Sequence, residues 1–170
     1  EIVRLREELH NLSITDDLTG LNNRRGFLQL AQQNLNLAKR TRSEVLLIFL
    51  DLNGLKDIND SLGHSEGDQA LVDVACILRK TFRESDIIGR IGGDEFTILA
   101  TDTGGAAVGS LTGRLQKSLE AHNLHGGRRY KLSISVGVAY YDYESDHSIE
   151  DLLIKADASM YEQKRRLKSS

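Results

Sequence analysis

Arg90–Leu99 reads RIGGDEFTIL, and the reading of these ten residues decides the fold. DIIGRI (86–91) leads in and EFTILA (95–100) leads out, two short apolar runs of strand length around a glycine pair. That pattern predicts a β-hairpin, with Gly92 and Gly93 taking the positive φ that tight hairpin turns require. Asp94 and Glu95 have no such explanation. A turn needs at most one polar residue there, and adjacent carboxylates repel each other.

A second acid stands at a strand end. EVLLIFLD (44–51) is a continuous apolar run, which predicts a strand buried on both faces, and it finishes in Asp51. The plain reading is that Asp51 caps the following turn. If the hairpin lies beside this strand, however, Asp51 and Asp94 converge at one edge of the sheet. Converging carboxylates share a proton or hold a hard cation, and Mg²⁺ uses one or two carboxylates plus substrate phosphates. The next residues suit a phosphate: backbone at Asn53 and Gly54 can present N–H groups, and Lys56 adds positive charge. Spacing alone leaves capping and metal binding both open.

The rest of the chain interleaves helices and strands. EIVRLREELHNL places Ile2, Leu5, Leu9 and Leu12 on an a/d seam. Such a seam suits either a terminal helix packed on its own domain or the cut end of a coiled-coil stalk, and its narrowness favours the stalk. Phe27, Leu30, Ala31, Leu35 and Ala38 stripe one helix; Leu71, Ala75, Leu78 and Phe82 stripe another, reached through an expected loop, LNGLKDINDSLGHSEGD (52–68). Val108, Leu111, Leu115 and Leu119 mark a helix weakened by Gly109 and Gly113, KLSISVGVAYY (131–141) alternates like a strand, and Ile149, Leu152, Leu153, Ala156 and Met160 stripe the last helix. The predicted class is α/β or α+β, one sheet with an antiparallel hairpin covered by helices.

Composition narrows the function. The 170 residues suffice for one domain with a proper core. A formal charge of −3 gives no field that would draw the chain to nucleic acid or anionic lipid. No apolar run approaches the roughly 20 residues of a membrane span. With Cys76 as the only cysteine, disulfides and cysteine-rich metal sites are excluded, and a reducing, cytoplasmic setting is expected. Cys76 itself is expected to be half-buried and inert. AHNLHGG (121–127) reads as a solvated loop, so His122 and His125 are not expected to form a metal pair, and His64 is expected to pack in a loop.

DDLTGLNNRR (16–25), DLNGLKDINDSLGHSEGDQAL (51–71), GGDEF (92–96) and ADASMYEQK (156–164) occur in this order. Together they closely resemble the diguanylate cyclase family, whose GGDEF domain takes its name from the hairpin. The resemblance runs from about residue 16 to the end, leaving 1–15 as the end of a signalling or coiled-coil helix. It implies a fold like the palm of polymerases and the nucleotidyl cyclases, a central, mostly antiparallel sheet wrapped by helices. It also implies condensation of two GTP into cyclic di-GMP with release of pyrophosphate, between two facing domains of a homodimer, with no nucleic acid polymer involved.

The resemblance assigns roles to particular residues. Asp51 and Asp94 match metal-ligand positions, with the Leu52 carbonyl as a third ligand for Mg²⁺, or Mn²⁺ in its place, two ions per site. Glu95 matches a catalytic position beside the metal, where it helps deprotonate the attacking 3′-hydroxyl. Asn59 and Asp68 match the guanine-reading pair, and Asn53, Gly54, Leu55, Lys56, Lys164 and Lys168 match the surroundings of the triphosphate. Without the motif, Asn59 would be a turn residue, Asp68 a helix N-terminal acid and the two lysines a basic helix end. Arg83 and Asp86, an Arg-x-x-Asp before the glycines, match a product-binding inhibitory site, with Arg114 as a further contact; their plain reading is a solvated pair at a helix end. The chain departs from the family at Lys168, where an Arg is usual, at Asn53, where Asp is frequent, and at Leu55, where an aromatic is usual. A Lys keeps the charge but loses the bidentate fork. The resemblance also implies an N-terminal sensory domain. The alternative function is a catalytically weak domain that binds GTP or cyclic di-GMP as a receptor.

Overall fold

The computed structural model describes residues 1–101 and 108–169, and the side chains of these except 10–12 and 167–169. The elements run α1 (Ile2–Leu12), α2 (Arg24–Thr41), β1 (Val45–Leu52), α3 (Leu55–Leu62), α4 (His64–Thr81), β2 (Ile87–Arg90), β3 (Glu95–Thr101), α5 (Val108–His125), β4 (Ile134–Tyr141) and α6 (Ile149–Ser169). The strands form one sheet in the order β2-β3-β1-β4. Every neighbouring pair is antiparallel.

β1 is buried along its whole length because both faces are covered. Leu46, Ile48, Leu50 and Leu52 enter a core with Leu71, Val74 and Leu78 of α4 and with Leu115 and Leu119 of α5. Val45, Leu47 and Phe49 enter a second core with Phe27, Ala31 and Leu35 of α2 and with Leu152, Leu153 and Ala156 of α6. The predicted stripe on α2 holds except at Leu30, which is exposed. On α1 the seam residues Ile2, Leu5 and Leu9 are exposed, and the Leu12 side chain lies outside the described residues.

The structure corrects four local expectations. The loop expected at 52–68 contains α3, joined to α4 through Gly63 at φ 96°. Its stripe, Leu55, Ile58 and Leu62, is thin and hidden among turn-forming residues. AHNLHGG is not a solvated loop: α5 runs through His125, and His122 reaches the buried Asp73 at 3.1 Å. His64 is exposed as the first residue of α4 rather than packed in a loop. Cys76 is also exposed, on the outward face of α4.

α6 covers the outer edge of β4. Gln163 Oε1 accepts from the Val136 N–H at 2.5 Å, and Ser159 Oγ accepts from the Val138 N–H at 3.2 Å. The approach needs Gly137, since a Cβ there would lie 2.0 Å from the Ala156 carbonyl oxygen. The edge strand is thereby satisfied by side chains instead of another strand.

Candidate functional site

The two acidic strand ends meet as expected. Asp51 pairs with Glu95 in the β1–β3 register, and the Leu52 N–H donates to the Asp94 carbonyl at 2.9 Å, which ties the hairpin loop to the end of β1. Gly92 and Gly93, however, are not among the positive-φ residues. The connection is a four-residue loop, Ile91 to Asp94, closed by the Ile91 N–H donating to the Glu95 carbonyl at 3.0 Å, so the tight-turn conformation is not needed. A Cβ at Gly92 would lie 3.0 Å from a Glu95 carboxylate oxygen, the movable end of a flexible side chain. Arg90 folds back on the loop, donating from Nη2 to the Gly93 carbonyl at 2.8 Å and from Nη1 to Asp16 Oδ1 at 3.1 Å. Burial acts to raise the Asp16 pKa, but Thr19 and Arg90 outweigh it and hold the carboxyl below its ordinary value.

The electrostatics of the acids is unbalanced. Asp94 is pushed up to about 6, by burial first and then by the Asp51 carboxylate beside it. Glu95 is raised by burial, then by Asp51 and by Asp157. It faces a cavity of about 270 Å³ lined by Arg24, Phe49, Ile91 and the α6 residues Glu150, Leu153, Ile154 and Asp157. Lys164 donates to Asp51 Oδ2, while Asp51 Oδ1 is buried without a hydrogen-bond partner. A buried carboxylate oxygen left so, beside a second carboxylate, fits a hard divalent cation. Among the described residues no group of three or more His, Cys, Asp or Glu encloses an ion. Mg²⁺ takes only one or two carboxylates and completes its shell with phosphate and water, and Asp51 and Asp94 would be the residues to hold it.

Beyond β1 the chain turns at Gly54, which has φ 73° and begins α3 without a side-chain cap. The first N–H groups of α3, at Leu55 and Lys56, have no intrahelical partner and suit an anion. Asn53 does not offer its N–H as expected: it donates to the Ser133 carbonyl at 2.7 Å. The Asn53 side chain is also held, donating to Ser133 Oγ at 3.1 Å and accepting from Ser135 Oγ at 3.0 Å. Nothing in the sequence marks these serines except their alternation in KLSISVG (131–137).

Asn59 and Asp68 come from opposite sides of the α3–α4 turn. Asn59 lies over Gly67, where a Cβ would be 1.7 Å from its Oδ1, and Asp68 is exposed one residue further on. Lys56 is exposed, and the Lys168 side chain lies outside the described residues. Arg83 and Asp86 do pair: Asp86 accepts from the Arg83 N–H at 2.9 Å and from the Thr101 N–H at 3.2 Å, while Arg83 Nη2 donates to the Thr101 carbonyl at 2.5 Å. They border a cavity of about 400 Å³ that also reaches Asn22, Arg79 and Phe82. Arg114 is exposed on α5 and does not line it.

Residues 13–170 match the family model described as diguanylate cyclase, GGDEF domain. The chain belongs to this GGDEF family. It is 33% identical over 154 residues to the diguanylate cyclase DgcP of Escherichia coli K12, covering 90% of this chain and 45% of that protein. It is 35% identical over 156 residues to the cyclic di-GMP phosphodiesterase NbdA of Pseudomonas aeruginosa, covering 92% of this chain and 20% of that protein. The GGDEF chain thus spans less than half the length of either relative. Its fold matches a crystal structure of the coiled coil and GGDEF domain of DgcB from Caulobacter crescentus in complex with c-di-GMP, with TM-score 0.79 and 26% identity over 96% of this chain and 88% of that one. Among the described residues no helix is long and apolar enough to cross a membrane.

Proposed function

We propose that this GGDEF domain is a working diguanylate cyclase. It condenses two GTP, one on each of two facing copies, into cyclic di-GMP with release of two pyrophosphates. The observation that carries the reading is the Asp51–Asp94 pair at the β1–hairpin junction, with one buried carboxylate oxygen left without a partner.

Asp51, Asp94 and the Leu52 carbonyl would hold Mg²⁺, two ions per site, or Mn²⁺ in its place. Bound metal neutralises triphosphate charge and lowers the pKa of the 3′-hydroxyl. The open N-terminus of α3, from Gly54 through Leu55 to Lys56, receives phosphate oxygens, with Lys164 of α6 as a further cation. Asp68 accepts from the N1–H and N2 amine of guanine, and Asn59 reads the same base. Adenine lacks those donors and would leave Asp68 unpaired. Glu95, its carboxyl raised by burial and its acidic neighbours, is suited to accept the 3′-hydroxyl proton. The 3′-oxygen then attacks the α-phosphorus of the GTP on the facing copy, and the bond to the β-phosphate oxygen breaks. The exposed seam of Ile2, Leu5 and Leu9 on α1 suits a second copy and would transmit the state of an N-terminal sensory domain in a cytoplasmic setting.

Incubation with GTP and Mg²⁺, followed by chromatography, tests the reading. Cyclic di-GMP should appear with two pyrophosphates each, at a rate per chain that rises with protein concentration. GTP binding without product would instead assign the receptor role. Arg83 and Asp86 are read as a product site, so Arg83→Ala should relieve inhibition by added cyclic di-GMP and leave the initial rate unchanged. Equal inhibition of both proteins removes that site.

A further inference from the structure

Lys164 does not stand free for a phosphate. Its Nζ donates to Asp51 Oδ2, an acid that the proposed function gives to a divalent metal. The Lys164 side chain is 32% exposed and that of Asp51 12%, so the ammonium reaches from the solvent boundary into the acid pair. It leaves only Asp51 Oδ1 unpartnered. The helix that carries Lys164 has little freedom to withdraw. The preceding residue, Gln163, holds the Val136 N–H, Ser159 holds the Val138 N–H, and Gly137 lets the α6 backbone lie against β4. Movement of Lys164 between Asp51 and solvent must therefore come from its own flexible stem.

This geometry sets up a competition. A divalent ion arriving alone at Asp51 meets a positive charge already seated on one of the two oxygens. A triphosphate arriving at the α3 N-terminus offers that ammonium several new oxygens nearby, at a position its stem can choose. We propose that Lys164 is an exchange latch: it neutralises Asp51 until a nucleotide triphosphate draws it away, so that metal and nucleotide bind as a coupled pair and free metal is excluded. The proposal rests on the reading of Asp51 as a metal ligand. By linkage, the factor by which nucleotide tightens metal is the factor by which metal tightens nucleotide.

Titration with Mn²⁺ tests it, using calorimetry or the paramagnetic signal of unbound ion. One arm holds Mn²⁺ alone; the other holds Mn²⁺ with 3′-deoxy-GTP, which lacks the attacking hydroxyl and cannot react. Lys164→Met should bind Mn²⁺ about ten-fold more tightly than wild type without nucleotide, and the tightening caused by 3′-deoxy-GTP should fall by at least as much. Lys164→Arg, which keeps the charge, should retain most of the coupling. Unchanged or weaker Mn²⁺ binding by a folded Lys164→Met overturns the latch. The wild type gives an answer that needs no folded variant. The Lys164 ¹³Cε resonance should move with 3′-deoxy-GTP alone and stay put with low Mn²⁺ alone, and the opposite order overturns the proposal. Asp51→Asn separates the two ideas. If it leaves Mn²⁺ binding with 3′-deoxy-GTP intact, Asp51 is no ligand, and the functional reading falls together with the latch. If it abolishes binding while Lys164→Met changes nothing, only the latch falls.

Discussion

Asp51 and Asp73 are both buried carboxylates, and the molecule treats them in opposite ways. Asp73, on α4, accepts from the Tyr130 hydroxyl at 2.6 Å, Gln69 at 2.9 Å, and Arg128 at 3.0 and 3.1 Å, with the His122 ring at 3.1 Å. Burial acts to raise its pKa, yet Tyr130, Gln69 and Arg128 outweigh it and hold the carboxyl below its ordinary value. Asp51 has one lysine, one orphaned oxygen and a second acid, Asp94, pressed against it. The saturated acid fastens structure. It ties α4 and the end of α5 to the segment that delivers Tyr130 and, three residues on, Ser133 beside Asn53. The unsaturated pair lacks what a ligand can supply, and that shortfall marks a site better than burial or charge does.

The contrast is broken most sharply through activity. Asp94→Ala or Asp51→Ala should cut cyclic di-GMP formation by on the order of a thousand-fold, as expected when several kcal/mol of metal-borne stabilisation is lost, with an unchanged circular dichroism spectrum. Substantial turnover in either variant would refute the assignment. Asp73→Ala should do the reverse. Removing it strands Arg128 and Tyr130, at a cost on the order of 3 kcal/mol, read as a fall in melting temperature of roughly 10 °C, while the proposed cyclase activity of the folded protein should be kept.

The smallest effect is the most diagnostic, because its sign differs between the two acids. Asp94 has a raised folded pKa, about 6, so its contribution to stability is present below the ordinary carboxylate pKa and lost as pH rises through 6. Asp94→Asn should therefore stabilise the metal-free, nucleotide-free protein at pH 7.5 by about 1 kcal/mol, a figure reduced for solvent screening, and give nothing at pH 4. Asp73, with its depressed pKa, contributes above the ordinary value and loses that contribution only as pH falls below it. Urea denaturation of Asp94→Asn, Asp73→Asn and wild type at both pH values checks the opposition. A loss of stability in Asp94→Asn at pH 7.5 would mean that the pair is satisfied after all.

What could be read from the chain depended on how local its cause was. β1 announces itself because a strand covered on both faces is apolar at every position, and that demand falls on consecutive residues. The convergence of Asp51 and Asp94 is legible for a similar reason, since one lies near the end of β1, the other just before β3, and the two strands are neighbours. α3 was hidden because a short helix with one narrow apolar stripe has the composition of a loop. The two glycines of the hairpin suggest positive φ and do not take it, because loop length, not glycine content, decides whether positive φ is required. The role of His122 depends on Asp73, 49 residues away, and the grip of Ser133 and Ser135 on Asn53 spans 80 and 82 residues. Partnerships across such distances leave no periodic trace.

The close seating of α6 on β4 also limits how this domain can change over evolutionary time. Ser159, Gln163 and Lys164 each face a fixed target, two N–H groups of β4 and one carboxylate at the end of β1. Each residue of an α-helix advances the side-chain direction by about 100°. Insertion or deletion of a single residue between Ser159 and Gln163 would turn Lys164 away from Asp51 and uncover the strand edge in the same step. This stretch can accept substitutions, but its length is locked, much as a gear keeps its tooth count while the metal is replaced.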